Sequence, residues 1–166
     1  MKNCDGFVSN TKNLYINAKS ADCTPVLLYD PKQKVIGAVH SGWKGTVQKI
    51  AHFAVKLMVD NFNSNPKNIV AGIGPSNGPC CYEVGDEVVE RVAMEFETNS
   101  PFLILNSKNK KVHFDLWKTN EYILLESGLL KTNIETSGLC TQCNPELFYS
   151  ARRSETGRIV AGICLR

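Results

Sequence analysis

The sequence predicts an α+β fold built on mixed β-sheets. Short runs of β-branched and apolar residues come in pairs joined by polar turns, and single amphipathic helical segments separate the pairs. Strands and helices do not alternate strictly, as they would in a doubly wound fold. The 166 residues suffice for a domain with a substantial core and are too few to argue for two. We therefore expect residues 1–166 to form a single domain.

The first strands form the clearest pattern. After a polar opening segment over residues 1–13, a strand begins at Leu14. Two further strands, 25–29 and 35–39, flank a polar turn at 30–34. This arrangement predicts an antiparallel hairpin.

Periodicity and capping residues define the elements that follow. An apolar stripe at helical spacing predicts a helix over about 46–62, and a second stripe predicts one over about 86–97. Asp115 is a suitable N-cap for a third helix to about residue 126, and Gly128 is suitable just after its end. The remaining strands are predicted at 68–73, 102–105, 111–114, 132–135, 147–150 and 158–165.

Composition excludes several classes of protein. The net charge is +3 with 21% charged residues, and no basic tract of the kind used to bind nucleic acid is present. No apolar stretch has the length of a membrane helix, and residues 1–20 lack a signal-peptide core. We expect a cytoplasmic protein without nucleic-acid or membrane partners. In that compartment the seven cysteines are expected to be reduced.

Cys23 and His40 are the first candidate functional pair. Cys23 precedes the first hairpin strand and His40 ends the second. If the hairpin loop has an even number of residues, the two side chains share a face, directly opposite or one diagonal step apart. The pair then fits a nucleophile with its base, two ligands of zinc or copper, or a buried thiol near a strand-end histidine.

Basic and glycine residues near this pair suggest an anion site. Gly42, Lys44 and Gly45 lie between the strand end and the next helix, where backbone N–H groups and a cation can meet a phosphate. Arg152 and Arg153 follow the predicted strand 147–150. Two guanidinium groups there fit a phosphate ligand or a solvated turn equally well.

The other cysteines give weaker signals. Cys80 and Cys81 are adjacent and lack the spacing of a metal knuckle, so they are expected to line a wall. Cys140 and Cys143 form a C-x-x-C motif without a second such motif or a paired histidine. This motif alone is a weak indication of a zinc or redox site.

Five motifs, in order, resemble the YfiH/YlmD-type "multicopper polyphenol oxidase" (laccase-domain) family. They are Ala-Asp-Cys-Thr-Pro-Val at 21–26, His-Ser-Gly-Trp-Lys-Gly at 40–45, Gly-Pro at 74–75 with Cys-Cys-Tyr-Glu-Val at 80–84, Phe-Asp-Leu-Trp at 114–117, and Cys-Thr at 140–141 with Phe-Tyr-Ser-Ala-Arg-Arg at 148–153. The resemblance implies an α+β fold of layered mixed sheets flanked by helices, similar also to the catalytic domain of the cytotoxic necrotizing factor toxins.

The resemblance implies a metal-dependent purine nucleoside phosphorylase that acts on adenosine, inosine or guanosine, with an adenosine deaminase side activity. Cys23 and His40 match family positions that bind zinc, with copper possible. By the same motifs, Cys23, His40 and Lys44 are the expected catalytic residues. Phosphate is expected at Gly42, Lys44, Gly45, Arg152 and Arg153. Lys44 stands where arginine is commoner, which keeps the charge but loses the bidentate fork.

One family feature has no counterpart. The third metal ligand of the family is a histidine in an upstream Q-V-H-G motif, whereas the first histidine here is His40. We therefore expect an N-terminally shortened member, either impaired or completed by a histidine from another polypeptide or a neighbouring subunit, and a monomer or homodimer. The alternatives are a Cys/His hydrolase, a polyphenol oxidase-type copper protein and an inactive shortened homologue. With three histidines in all, a multicopper cluster is hard to build.

Overall fold

The computed structural model describes residues 4–96, 100–107 and 110–166. Within these ranges it contains nine β-strands and four α-helices. The strands are β1 Gly6–Ser9, β2 Tyr15–Ser20, β3 Thr24–Asp30, β4 Val35–Ser41, β5 Val70–Ile73, β6 Leu103–Leu105, β7 Val112–Phe114, β8 Ile134–Thr136 and β9 Ile159–Cys164. The helices are α1 Trp43–Val47, α2 Ile50–Phe62, α3 Asp86–Phe96 and α4 Leu116–Glu126.

A five-stranded mixed sheet forms the centre of the fold. Its strand order is β1-β4-β3-β5-β8, and all neighbours are antiparallel except β5 and β8, which are parallel. Two small antiparallel sheets, β2-β9 and β6-β7, accompany it. This architecture confirms the predicted α+β class with mixed sheets.

The predicted hairpin is formed by β3 and β4. Asp30 pairs with Val35 across a four-residue loop, and Pro25 pairs with His40. Asp30 Oδ1 accepts hydrogen bonds from the backbone N–H groups of Lys32 (2.9 Å) and Gln33 (3.2 Å), which fixes the turn. The even loop length puts Cys23 one diagonal step from His40, the second of the two predicted geometries.

The main core lies between the central sheet and helices α2 and α4. Leu28, Met58 and Leu124 are fully buried there. Complete burial of such a side chain contributes about 1.5–3 kcal/mol, so this layer anchors the hairpin. A second cluster packs under α3; its buried members are Tyr82, Val88, Val92, Phe102, Phe114 and Leu116.

The predicted helix over 46–62 is interrupted. The structure has the short helix α1 and then α2, and Lys49 between them has a left-handed backbone with φ of 55°. Lys49 Nζ lies 2.6 Å from Glu95 Oε1 on α3. A continuous apolar stripe does not reveal such a break, because the stripe reports which face is buried and not the backbone conformation of a single residue.

Two strand predictions need correction. β1 was not predicted, because its four residues form a strand only through pairing with β4. Residues 147–150 are not a strand but an irregular segment, held by hydrogen bonds from Arg153 to the Phe148 carbonyl (2.5 Å) and from the Ser150 N–H to Glu155 (2.8 Å). The predicted helix end at Glu97 lies outside the described residues.

The longest of the described helices, α2, has 13 residues, whereas a membrane span needs about 20. None of the helices in these ranges combines the length and apolar character needed to cross a membrane.

Candidate active site at the end of the central hairpin

Cys23 and His40 meet above Gly42. A Cβ placed on Gly42 would lie 3.0 Å from Cys23 Sγ and 3.7 Å from His40 Cε1. The two side chains therefore occupy the same side of the hairpin end. The φ of Gly42, −72°, is one that any residue adopts, so its backbone conformation does not call for glycine. The limited space beside the Cys23 sulfur favours glycine here.

His40 is oriented by Asp5. Its Nδ1 lies 3.2 Å from Asp5 Oδ1, and its backbone N–H donates to the Asp5 carbonyl at 2.6 Å. A carboxylate at Nδ1 favours the tautomer protonated on that nitrogen and leaves the lone pair on Nε2. Nε2 is thus the ring atom suited to accept a proton or bind a metal.

The Cys23 thiol is in an environment that opposes its ionisation. Burial raises its pKa, and the negative charges of Asp22 and Asp5 raise it further. A cysteine nucleophile needs its thiolate stabilised. The Cys/His hydrolase alternative would therefore need His40, which lies beside Cys23, to activate the thiol.

Asp22 connects three distant segments to this site. Its carboxylate accepts hydrogen bonds from the Thr141 hydroxyl (2.6 Å) and the Arg152 backbone N–H (2.8 Å), and its carbonyl accepts one from the Asn77 N–H (2.8 Å). Asp22 is buried and has a left-handed φ of 84°. The sequence patterns assign Asp22 no role of its own; its place beside Cys23 in the 21–26 motif is the available signal.

A buried polar network supports the loop that follows His40. The Ser41 hydroxyl lies 2.8 Å from Thr46 Oγ1 and donates to Asn120 Oδ1 at 2.9 Å, while Asn120 Nδ2 donates to the Leu116 carbonyl. All three polar side chains are fully buried. Because buried polar groups are costly to leave unpaired, this network fixes the end of β4 and the start of α1 against α4.

Lys44 and Gly45 lie on the short helix α1 and not, as predicted, between the strand end and the next helix. The lysine side chain turns towards α3. Its ammonium is exposed and lies 5.3 Å from the centre of the Trp43 ring. Lys44 lines a small cavity of about 240 Å³ together with Arg91 and Glu87 of α3.

The structure gives the two arginines different surroundings. Arg153 donates from Nε and Nη2 to the Glu155 carboxylate (2.9 Å each) and from Nη1 to the Thr141 carbonyl (2.5 Å). Arg152 is exposed, donates to the Glu83 carbonyl at 2.8 Å, and stacks 5.0 Å from the Tyr82 ring centre. Arg153 thus braces its own segment, while Arg152 is presented beside the Asp22 segment.

Tyr82 stands between Arg152 and the Cys23 region. Burial, and to a lesser extent the nearby Cys23, raise the pKa of Tyr82 to about 12. The charge of Arg152 acts in the opposite direction. The Tyr82 hydroxyl therefore stays protonated at neutral pH and is a hydrogen-bond donor rather than a base.

Cys23 and His40 do not by themselves complete a metal site. Within residues 4–96, 100–107 and 110–166, one group of Cys, His, Asp or Glu side chains brings at least three ligand atoms within 4.8 Å of one another, and it contains neither residue. Within the same ranges, His52 and His113 do not join Cys23 and His40 in such a group. Zinc normally takes at least three protein ligands.

The group that does meet this criterion consists of four cysteines. The sulfurs of Cys80, Cys81, Cys140 and Cys143 all lie within 4.8 Å of one another. The C-x-x-C motif has no second such motif or paired histidine in the sequence, but in space it meets the adjacent cysteines Cys80 and Cys81. The bridge between Ser76 and Cys140 brings the two pairs together across about 60 residues of sequence, which spacing rules for contiguous motifs do not detect.

Comparison with known proteins places the chain in a family. The family model described as "Multi-copper polyphenol oxidoreductase laccase" matches residues 1–166. The chain is 38% identical over 168 residues to "Purine nucleoside phosphorylase YlmD" of Bacillus subtilis (strain 168), covering 100% of this chain and 60% of the relative. It is 33% identical over 165 residues to "Adenosine deaminase RL5" of an unknown prokaryotic organism, covering 98% of this chain and 63% of that protein.

Solved structures give the same result. The crystal structure of YlmD from Geobacillus stearothermophilus superposes with a TM-score of 0.90 at 33% identity, and that of the hypothetical protein YfiH from Bacillus licheniformis with 0.88 at 36%. Both alignments cover 98% of this chain and 61% of the other. The chain thus spans about three fifths of the length of these relatives. It belongs to the multi-copper polyphenol oxidoreductase laccase family, the YfiH/YlmD family that its motifs predicted.

Proposed function

We propose that this chain carries a phosphorolytic site for purine nucleosides. One observation carries the proposal: Asp22, beside Cys23, is hydrogen-bonded to Thr141 and Arg152 of the fifth motif and to Asn77, which lies between the two halves of the third. The family motifs therefore converge on one place, at the end of the hairpin that bears His40. The names of relatives such as YlmD, a purine nucleoside phosphorylase, supply the reaction class.

In the proposed reaction, an oxygen of inorganic phosphate forms a bond with C1′ of the ribose while the C1′–N9 glycosidic bond breaks. The bonding electron pair leaves with the purine, which takes up the proton that the hydrogenphosphate loses. The products are ribose 1-phosphate and the free base. Cationic groups beside the phosphate strengthen its binding through charge-assisted hydrogen bonds and hold the attacking oxygen in line with the C1′–N9 bond that breaks.

Lys44 and Arg152 are the proposed cationic partners of the phosphate, with the Gly42 and Gly45 backbone forming the floor. Arg153 is the less suitable candidate, because its guanidinium already serves Glu155 and two carbonyls. Its proposed role is to hold the segment from which Arg152 projects. Both cations also fit the modest positive net charge of the chain.

Cys23 and His40 are proposed to contribute two ligands to a zinc or copper site. A further ligand, from a neighbouring subunit or a separate polypeptide, has to complete it. The chain is then expected to act as a homodimer or with that second polypeptide. Its expected small-molecule partners are a purine nucleoside and phosphate, and its expected compartment is the cytoplasm. Because the described residues do not form that site on their own, no step of the phosphorolysis is assigned to the metal.

Adenosine deamination is a second candidate activity, supported by the similarity to the relative named adenosine deaminase RL5. In that reaction water replaces the 6-amino group of adenosine, and ammonia and inosine are formed. The two activities give different products from one substrate. Adenine and ribose 1-phosphate report phosphorolysis, whereas inosine and ammonia report deamination.

The test uses the purified full chain, loaded with zinc or copper, and adenosine, inosine and guanosine in turn. Chromatography follows free base and ribose 1-phosphate with and without phosphate. We expect base release that depends on phosphate and falls on Arg152→Ala or Lys44→Ala. The matched control is Lys56→Ala, since Lys56 is an exposed lysine on α2 that pairs with Asp60. Absence of base from all three nucleosides would overturn the proposal.

A further inference from the structure

We propose that Cys80, Cys81, Cys140 and Cys143 form a binding site for one soft metal ion, zinc foremost, distinct from Cys23 and His40. The four sulfurs lie within 4.8 Å of one another. In particular, Cys143 Sγ is 3.7 Å from Cys80 Sγ and 3.4 Å from Cys81 Sγ. Tetrahedral zinc with bonds of about 2.3 Å sets its sulfur ligands about 3.8 Å apart. The sulfurs are therefore already close to the spacing that zinc requires.

The donor set decides which ions fit. Four thiolates are soft ligands, which select zinc, Cu(I) or iron–sulfur chemistry over magnesium and calcium. Four protein ligands also close the tetrahedron and leave no open position for substrate. The site is accordingly structural and does not take part in the reaction.

Backbone contacts hold the cluster in place. The Gly78 N–H donates to Cys140 Sγ at 3.3 Å, and Asn144 Nδ2 donates to the Cys140 carbonyl at 2.8 Å. A hydrogen bond to a ligand sulfur is the kind of outer contact that orients metal ligands. Gly78 has to be glycine, because a Cβ there would lie 2.6 Å from the Trp117 ring. Without a side chain at Gly78, the loop before Cys80 packs directly against Trp117 and Cys140.

Accessibility is uneven, as metal entry requires. Cys140 is buried, at 5% exposure, whereas Cys80 and Cys143 are exposed. An ion can therefore enter from solvent and meet a ligand that is already fixed.

A disulfide is the competing arrangement. All seven cysteines are free, and the Cys81 and Cys143 sulfurs are 3.4 Å apart, beyond the length of about 2.05 Å of a disulfide bond. A bond between Cys81 and Cys143 would also leave the exposed Cys80 and the buried Cys140 without a partner in the cluster. One metal uses all four.

The site has a definite mechanical consequence. Cys140 precedes Thr141, which bonds the Asp22 carboxylate, and the loop before Cys80 contains Asn77, which bonds the Asp22 carbonyl. A metal would lock the two segments that hold Asp22 and thereby stabilise the hairpin end. This inference does not depend on the nucleoside chemistry, so either can fail alone.

The test measures metal content and cobalt spectra of the reduced full-length chain. We expect one equivalent of zinc after purification without chelators. Replacing zinc with cobalt should give a thiolate-to-cobalt charge-transfer band and the intense visible d–d bands of tetrahedral coordination. Cys143→Ser and Cys81→Ser should weaken these bands and release the metal to a chromophoric chelator. Cys4→Ser and Cys164→Ser, at exposed cysteines outside the cluster, should not.

Three outcomes would overturn the proposal. The first is reduced wild-type protein that retains no zinc and develops no cobalt bands, a result that needs no variant to fold. The second is cobalt bands that survive in Cys143→Ser and Cys81→Ser but vanish in Cys23→Ser, which would assign the metal to the other site. The third is a Cys81–Cys143 disulfide, found by mass spectrometry, in protein without metal.

Discussion

The hydroxyl of Thr141 donates a 2.6 Å hydrogen bond to the carboxylate of Asp22, although the two residues are 119 positions apart in sequence. Both side chains are buried. The bond joins Thr141, in the C-terminal third of the chain, to the residue before Cys23 at the start of the central hairpin. It fixes the backbone at Asp22 in a left-handed conformation, directly before Cys23.

Asp22→Ala is expected to destabilise the protein strongly. It removes two hydrogen bonds to a charged group, each worth about 1.5–3 kcal/mol. The free energy of unfolding, measured with urea, should fall by about 3–6 kcal/mol. Thr141→Val, which removes one of these bonds, should cost less. A change below about 0.5 kcal/mol for Asp22→Ala, the range of ordinary surface substitutions, would contradict this role.

Gly42→Ala tests the close approach of Cys23 and His40. The new Cβ would lie 3.0 Å from the Cys23 sulfur, so the thiol has to move. Overpacking of this kind costs about 1–3 kcal/mol, and the phosphorolysis rate should fall with the displaced thiol. Gly72→Ala is the control, since its Cβ would meet no atom within 4 Å. Equal stability and activity in the two variants would show that the space above Gly42 is unimportant.

Lys44→Arg is expected to strengthen phosphate binding. A guanidinium can grip two phosphate oxygens at once, whereas an ammonium acts as a point charge. The KM for phosphate should therefore fall in Lys44→Arg and rise in Lys44→Ala, with a smaller change in the KM for the nucleoside. Lys56→Arg on α2 is the matched control. If the KM for phosphate is the same in all Lys44 variants, Lys44 does not touch the phosphate.

The pair of Arg153 and Glu155 should make stability depend on pH. The hydrogen bond from Arg153, and then that from the Ser150 N–H, lower the pKa of Glu155 below its usual value of 4.5. A carboxylate whose pKa is lower in the folded state than in the unfolded state stabilises the folded protein. This stabilisation is complete at pH values above the unfolded-state pKa and is lost as the pH falls through the folded-state pKa. Glu155→Gln should therefore be less stable than the wild type at neutral pH, and the difference should shrink at about pH 3. Urea unfolding at both pH values measures this. A difference that is unchanged at acid pH would exclude the charge of Glu155 as its origin.

The candidate site divides into a part that the sequence predicts and a part that it does not. The even turn between β3 and β4 predicts that Cys23 and His40 share a face, and the register of Pro25 with His40 agrees. Such geometry follows from local rules, because the turn length and the strand period fix it. The same holds for Asp115, which caps α4 by accepting from the Lys118 N–H, and for Gly128, whose φ is 92°.

Tertiary structure alone decided the rest. Asp22 gains its role from Thr141 and Arg152, and the cysteine cluster forms only when the pair at 80–81 meets the pair at 140 and 143. Strand β1 likewise forms through its pairing with β4. Local sequence determined the elements, the hairpin and the family, because periodicity, turn chemistry and motifs act over a few residues. The partners of Asp22 and of the cysteines come from contacts across 50 residues or more, which no local pattern encodes.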